Sequence, residues 1–202
     1  MGRCGTMFLA DVLARSREFI VRHEHADDHL GWFAVPGQYR RDAHLVLTAL
    51  RFAAHDNYGE VNSFLRFLLP DLPVDRRAVI VRHLPDMLLS IINRGRRRWA
   101  GVRGMAELVD HVDAAMRAVA THIGQGIPVI RFEQMTTDPA ELERICGLMG
   151  VTDVDVSEVD LAKKVNATQH RHIESLAELP DDERAELRRL DWVLAWERGL
   201  PE

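Results

Sequence analysis

Two short runs of apolar, β-branched residues constrain this chain more than any other feature. A-V-I-V at 78–81 lies between D-R-R and R-H-L-P-D, and P-V-I-R-F at 128–132 follows the turn G-Q-G-I. Such runs suit strands buried on both faces, as in a parallel sheet. Between them Met105, Leu108, Val109, Val112, Met116 and Val119 recur at helical spacing and predict a helix over about 104–123. Strand, helix, strand, helix with short apolar strands predicts an α/β fold with a parallel sheet.

The flanking segments read as mostly helical. Residues 6–22 place Phe8, Leu9, Val12, Leu13, Phe19 and Ile20 mainly on one helical face, although F-I-V-R-H at the end also reads as a short strand. G-W-F-A-V-P-G-Q-Y-R-R at 31–41 reads as an irregular loop, and 42–55 as a second helix. N-Y-G at 57–59 reads as a turn, and V-N-S-F-L-R-F-L-L at 61–69 as a helix stopped by Pro70. A helix over 86–93 has Pro85 near its first turn. The clearest helix is 137–150: Asp138 caps it, Pro139 opens it and Gly150 ends it. A last helix covers 180–198, with D-D-E at 181–183 at its start, where acids complement the dipole. No internal repeat or composition shift marks a boundary, so 1–202 reads as a single domain.

The 202 residues, 47% hydrophobic and 28% charged, are a globular composition that can bury one substantial core. A formal charge of −5 argues against a bulk nucleic-acid binder, despite the basic run R-G-R-R-R at 94–98. That run reads as a solvated loop. No apolar run approaches the ~20 residues of a membrane span, and no signal-peptide pattern is visible. Cys4 and Cys146 show no ligand spacing, which fits a reducing compartment, and a cytoplasmic protein is the expectation.

M-G-R-C-G-T at 1–6 has the makings of a phosphate-cradling turn. Glycines let backbone N–H groups close on an anion, the following helix start adds partial positive charge, and Arg3 and Thr6 add a cation and a hydroxyl. No lysine follows the second glycine, so this is not the nucleotide-kinase pattern. Such a turn normally hangs from a buried strand, so weak anchoring is expected unless another strand or a partner chain compensates. In V-I-V-R-H-L-P-D-M-L-L-S at 79–90, a strand ends by presenting Arg82 at the crevice side of a parallel sheet, and Ser90 lies on the helix beyond. Arginine and serine together hold phosphate well. A plain Arg82–Asp86 pair is the alternative.

These stretches, with V-I-R-F-E-Q-M-T-T-D-P-A-E-L-E-R-I-C-G-L-M-G-V at 129–151, resemble the sulfotransferases that use 3′-phosphoadenylyl sulfate. The similarity runs from residue 2 to about 151. It implies a three-layer α/β fold of the phosphate-loop type, a parallel central sheet flanked by helices, with a helix-rich C-terminal part and no strand seen before the first loop. It implies 3′-phosphoadenylyl sulfate as donor, 3′-phosphoadenosine 5′-phosphate as product, and no metal. Arg3, Cys4, Gly5 and Thr6 would hold the phosphosulfate end, with Arg3 stabilising charge on the bridging oxygen. Arg82 and Ser90 would hold the 3′-phosphate, and Lys163, Lys164 and Arg171 in K-K-V-N-A-T-Q-H-R-H would add donor contacts. Cys4 stands where the family usually has serine, Met7 where it often has threonine, and His83-Leu84 where an acid or Asn is common beside the proline.

Sulfuryl transfer needs a base near the acceptor oxygen. R-H-E-H-A-D-D-H at 22–29 offers Glu24, with His25 and His23 also in play. His23, His25, Asp28 and His29 raise a metal reading, but no three-ligand spacing stands out. Glu60 would orient Arg3 or contact the acceptor, or else be an acid at a helix start. Trp192 and Trp196 share a helix face, which core packing explains better than base stacking. The acceptor would be a small molecule or glycan bearing a hydroxyl or amine. A non-catalytic relative and a small-molecule kinase on a related scaffold are the alternatives, and monomer and homodimer both stay open.

Overall fold

The computed structural model describes residues 5–24, 37–63, 72, 74–94, 103–161 and 173–200. The chain divides into two compact units, Met1–Val81 with His122–Val165, and Arg82–Thr121 with Asn166–Glu202. The architecture is mixed α/β with parallel strand pairs.

The first unit opens with helix α1, Thr6–Leu13, which buries Phe8, Leu9, Ala10, Val12 and Leu13. The periodicity predicts a helix to residue 22, but the chain leaves it at Ala14. Asp153 accounts for that early stop. Its carboxylate accepts from the Ser16 hydroxyl at 2.6 Å, the Arg17 N–H at 2.6 Å and the Glu18 N–H at 3.3 Å, holding a turn that delivers Phe19 and Ile20 to a strand. Strand β1, Ile20–His23, is the strand alternative for F-I-V-R-H.

Helix α2, Gly37–Ala54, starts inside the segment expected to be a loop, just after Pro36, a residue that suits a helix entrance. The turn expected at 57–59 lies one residue earlier, at Asp56–Asn57, and Tyr58–Val61 form strand β2. β2 pairs in parallel with β1, Ile20 opposite Tyr58 and His23 opposite Val61. Burial of Tyr58 and Val61 and pairing with β1 override the local turn signal and the helix expected from Val61. The rest of that expected helix, from Phe64, lies outside the described residues.

Strand β3, Val79–Val81, pairs in parallel with β4, Val129–Arg131, Val79 opposite Val129. The second strand ends a residue earlier than predicted, because Phe132 opens a short helix, α5, Phe132–Met135. Helix α6, Pro139–Met149, matches its sequence signals at both ends: the Asp138 carboxylate accepts from the Ala140 N–H at 2.9 Å, and Gly150 leaves the helix at φ 78°. One apolar core joins α1, β1, β2, β4 and α6 through Leu9, Val12, Val21, Val61, Ile130 and Leu142. Cutting Leu9 or Leu142 back to alanine in such a core costs about 2–5 kcal/mol. Cys146 is a buried thiol in this core, and burial, then Glu143, pushes its pKa up.

In the second unit helix α3, Leu84–Arg94, buries Leu84, Met87, Leu88, Ile91 and Ile92, and Pro85 sits in its first turn as predicted. Helix α4, Met105–Gly124, belongs to this unit up to Thr121 and buries Leu108, Val109, Val112 and Met116. The helix predicted over 180–198 is divided: α7, Asp181–Leu187, a single tight turn at Arg188–Leu190, and α8, Asp191–Arg198. Trp192 has polar partners as well as packing. Its indole N–H donates to Asp113 at 2.7 Å, and the Arg117 guanidinium lies 4.7 Å from its ring centre. Arg117 first, then Trp192, holds the Asp113 carboxyl below the usual carboxylate range.

Candidate functional site

The described part of the glycine turn is Gly5 and Thr6 at the start of α1. Gly5 is the N-cap residue, at φ 79° and ψ 17°, and has no side chain with which to cap the helix. A left-handed conformation favours glycine, and packing demands it too. A Cβ on Gly5 would lie 2.6 Å from Phe132 Cε2 and 3.0 Å from Met135 Cε. Phe132 is the residue that follows β4, so the turn rests against the carboxyl end of that strand. On the other side the Thr6 hydroxyl shares a 2.9 Å hydrogen bond with His23 Nε2, at the carboxyl end of β1. Neighbouring strand ends therefore anchor Gly5 and Thr6.

Glu24 follows β1 directly. Its backbone is at φ 49°, and it is the one non-glycine residue with positive φ among the described residues. Its N–H donates to the Val61 carbonyl at 3.3 Å. Its Oε1 accepts from the Ser63 N–H at 3.3 Å and from the Ser63 hydroxyl. The residue after β1 is thus tied to the residues ending β2. Thr6, His23, Glu24 and Ser63 form one connected group at the carboxyl ends of two parallel strands, the side on which open α/β sheets bind ligands. Ser63, buried at 7% exposure, was not among the residues singled out from sequence. Only the β1–β2 register, which sets His23 opposite Val61, brings it to Glu24.

Glu60 lies within β2, so a role as an acid at a helix start falls away. It accepts from the Tyr58 hydroxyl at 2.5 Å and from the Asn62 amide at 3.1 Å, and Arg22 is its neighbour across the strand pair. Burial, then the bond to Glu60, pushes the Tyr58 phenol up, so it stays a neutral donor. Two donors fix the Glu60 carboxylate in orientation.

Arg82 and Ser90 belong to the second unit, where both are half-buried. The start of α3 carries a carboxylate of its own: Glu197 Oε2 accepts from the Leu84 N–H at 3.4 Å and lies 3.3 Å from His83 Nδ1. An anion at this helix would therefore rely on the Arg82 and Ser90 side chains more than on the first amides.

Arg3, Cys4, His25, Lys163, Lys164 and Arg171, together with Asp28 and His29, lie outside the described residues. Among the described residues no group of three or more His, Cys, Asp or Glu side chains is placed to hold a metal ion. No described helix is long and apolar enough to cross a membrane. Comparison with protein-family models, with curated proteins and with solved structures found no match.

Proposed function

We propose that the chain is a sulfotransferase that moves a sulfuryl group from 3′-phosphoadenylyl sulfate to a hydroxyl or amine acceptor, on a three-layer fold of the phosphate-loop type. One observation carries the reading: the glycine-led start of α1 meets the carboxyl ends of β1 and β4, with the Thr6 hydroxyl held against His23. A helix start favours an anion through its dipole and amide groups. The phosphosulfate end of the donor is such an anion. Thr6 contributes a hydroxyl to it, with Arg3 and Cys4 completing the turn in the sequence resemblance. For the 3′-phosphate the reading rests on the sequence alone, through Arg82 and Ser90, with Arg171 as a further donor contact.

Glu24 is the base of this reading. The acceptor oxygen attacks sulfur in line with the bridging oxygen, an S–O bond forms as the bridging S–O bond breaks, and its electron pair leaves on the 5′-phosphate. The acceptor proton passes to the Glu24 carboxylate. His23, held to Thr6, fixes the donor turn, and Glu60 contacts the acceptor. No metal enters the scheme.

Calorimetry with 3′-phosphoadenosine 5′-phosphate tests the proposal. The folded wild type should bind it, and Thr6→Val should weaken binding about 10-fold, the loss of one hydrogen bond to a charged group. A folded protein that does not bind at millimolar ligand overturns the reading. Binding without turnover over a broad acceptor panel makes the chain a binding protein on the same scaffold.

A further inference from the structure

We propose that Ser63 is a positioning residue that acts through Glu24: it occupies one carboxylate oxygen, Oε1, and leaves the other, Oε2, as the proton acceptor. This rests on the sulfuryl-transfer reading above and names a residue that the reading does not itself require.

Glu24 holds a backbone conformation that costs a side-chain-bearing residue about 1–2 kcal/mol. Such strain persists where the surroundings over-determine it, and it clusters at functional sites. Here the surroundings hold both the backbone and the side chain of Glu24. The Glu24 N–H is bound to Val61, and both the N–H and the hydroxyl of Ser63 converge on the same oxygen, Oε1. Two donors on one oxygen fix the rotation of the carboxylate plane. Among the described residues Oε2 carries no hydrogen bond, so it is the oxygen presented to an incoming O–H. Ser63 is buried, whereas Glu24 is half-exposed, so the carboxylate is clamped by a buried neighbour. On the other side His23 is fixed to Thr6 at 2.9 Å, so the last residue of β1 and the residue after it divide the work: one holds the donor turn, the other receives the proton.

In the step itself the acceptor O–H bond breaks as its oxygen bonds to sulfur, and the proton goes to Oε2. The bridging oxygen keeps the electron pair of the broken S–O bond and departs with 3′-phosphoadenosine 5′-phosphate. Ser63 changes no bond. It sets the direction of Oε2, and misplacing a reacting group by about 1 Å costs on the order of 100-fold in rate.

The test is a double-mutant cycle on the full chain. Turnover is read as release of 3′-phosphoadenosine 5′-phosphate from the donor, with phenol and with water as acceptors. Ser63→Ala should lower kcat by about 10- to 100-fold with donor KM unchanged. Ser63→Thr, which keeps the hydroxyl, should recover most of the loss. Glu24→Gln should lower kcat as well, and adding Ser63→Ala to it should cause no further loss, because the serine acts through the carboxylate. Independent losses that multiply, an unchanged kcat in Ser63→Ala, or a parallel fall in kcat, product affinity and melting temperature each overturn the assignment of Ser63 while leaving the donor reading intact. A wild type that binds the product but turns over with neither acceptor overturns the Ser63 assignment, since no proton then reaches Glu24. Failure of the wild type to bind the product overturns both.

Discussion

Helices α1 and α6 lie in the same unit and border the same core, yet they begin in opposite ways. α6 closes itself: Asp138 caps the Ala140 N–H, Pro139 fills the first turn, and Gly150 ends the helix, where the Arg76 guanidinium donates to the Gly147 and Leu148 carbonyls at 3.1 and 3.2 Å. α1 starts at a glycine that offers no side chain to its amides, pressed against Phe132, with the next side chain turned to a histidine. The far ends of both helices are secured together through Asp153, which follows α6 and holds the turn after α1. The start of α1 is led by a glycine with no capping side chain of its own, and that is where the sequence resemblance puts an anion.

Three substitutions sharpen or break this contrast. Gly5→Ala should have the largest effect. It forces a Cβ into Phe132 and Met135 and a side chain into the left-handed region, so denaturant unfolding should show a loss of about 3 kcal/mol and product binding should disappear. A neutral outcome would mean that the turn has room to spare and is not built around that contact. Asp138→Ala should cost about 1 kcal/mol in the same measurement, with the calorimetric affinity for 3′-phosphoadenosine 5′-phosphate unchanged. If affinity fell with it, the two helix starts would not be independent.

The smallest effect belongs to Asp153. The Ser16 hydroxyl first, then the Arg17 N–H, holds its carboxyl below the usual carboxylate range. A carboxyl with a lowered folded pKa stabilises the fold fully above its unfolded value, near pH 4, and loses that contribution as pH falls through the folded value. Stability measured from pH 6 down to 2 should therefore fall less steeply below about pH 4 in Asp153→Asn than in wild type. Parallel curves would show that the exposed carboxylate carries no linked stability.

Strands β3 and β4 and helix α6 were legible because their signals are local. V-I-V and V-I-R are β-branched runs, and D-P at one end of α6 with glycine at the other is chemistry that caps a helix wherever it occurs. β2 was not legible. Tyr58 and Gly59 belong to a turn by residue type, and only the row of partners along β1 makes them a strand. The break of α1 at Ala14 was hidden for the same reason, since its cause, Asp153, stands well over a hundred residues away in sequence. The candidate site follows the same rule. Gly5, Thr6 and Glu24 announced themselves by type and order, whereas Ser63 became visible through strand register, and of the two readings of Glu60 the helix-start acid fell away once it proved a strand carboxylate held by Tyr58 and Asn62.

The parallel pairing has a consequence for how the chain acquires this structure. Ile20 must find Tyr58, and Val79 must find Val129, so neither ladder closes through a hairpin. Closing loops of this length costs entropy before any ladder bond is gained, which slows folding relative to helical segments of similar stability. During synthesis the residues of α3 and most of α4 leave the ribosome before β4 exists. Strand β3 therefore stays unpaired until residues near 131 have emerged. In refolding, where loop closure alone sets the order, pulse-labelling of amide protons should find the β3 and β4 amides protected after those of the helices.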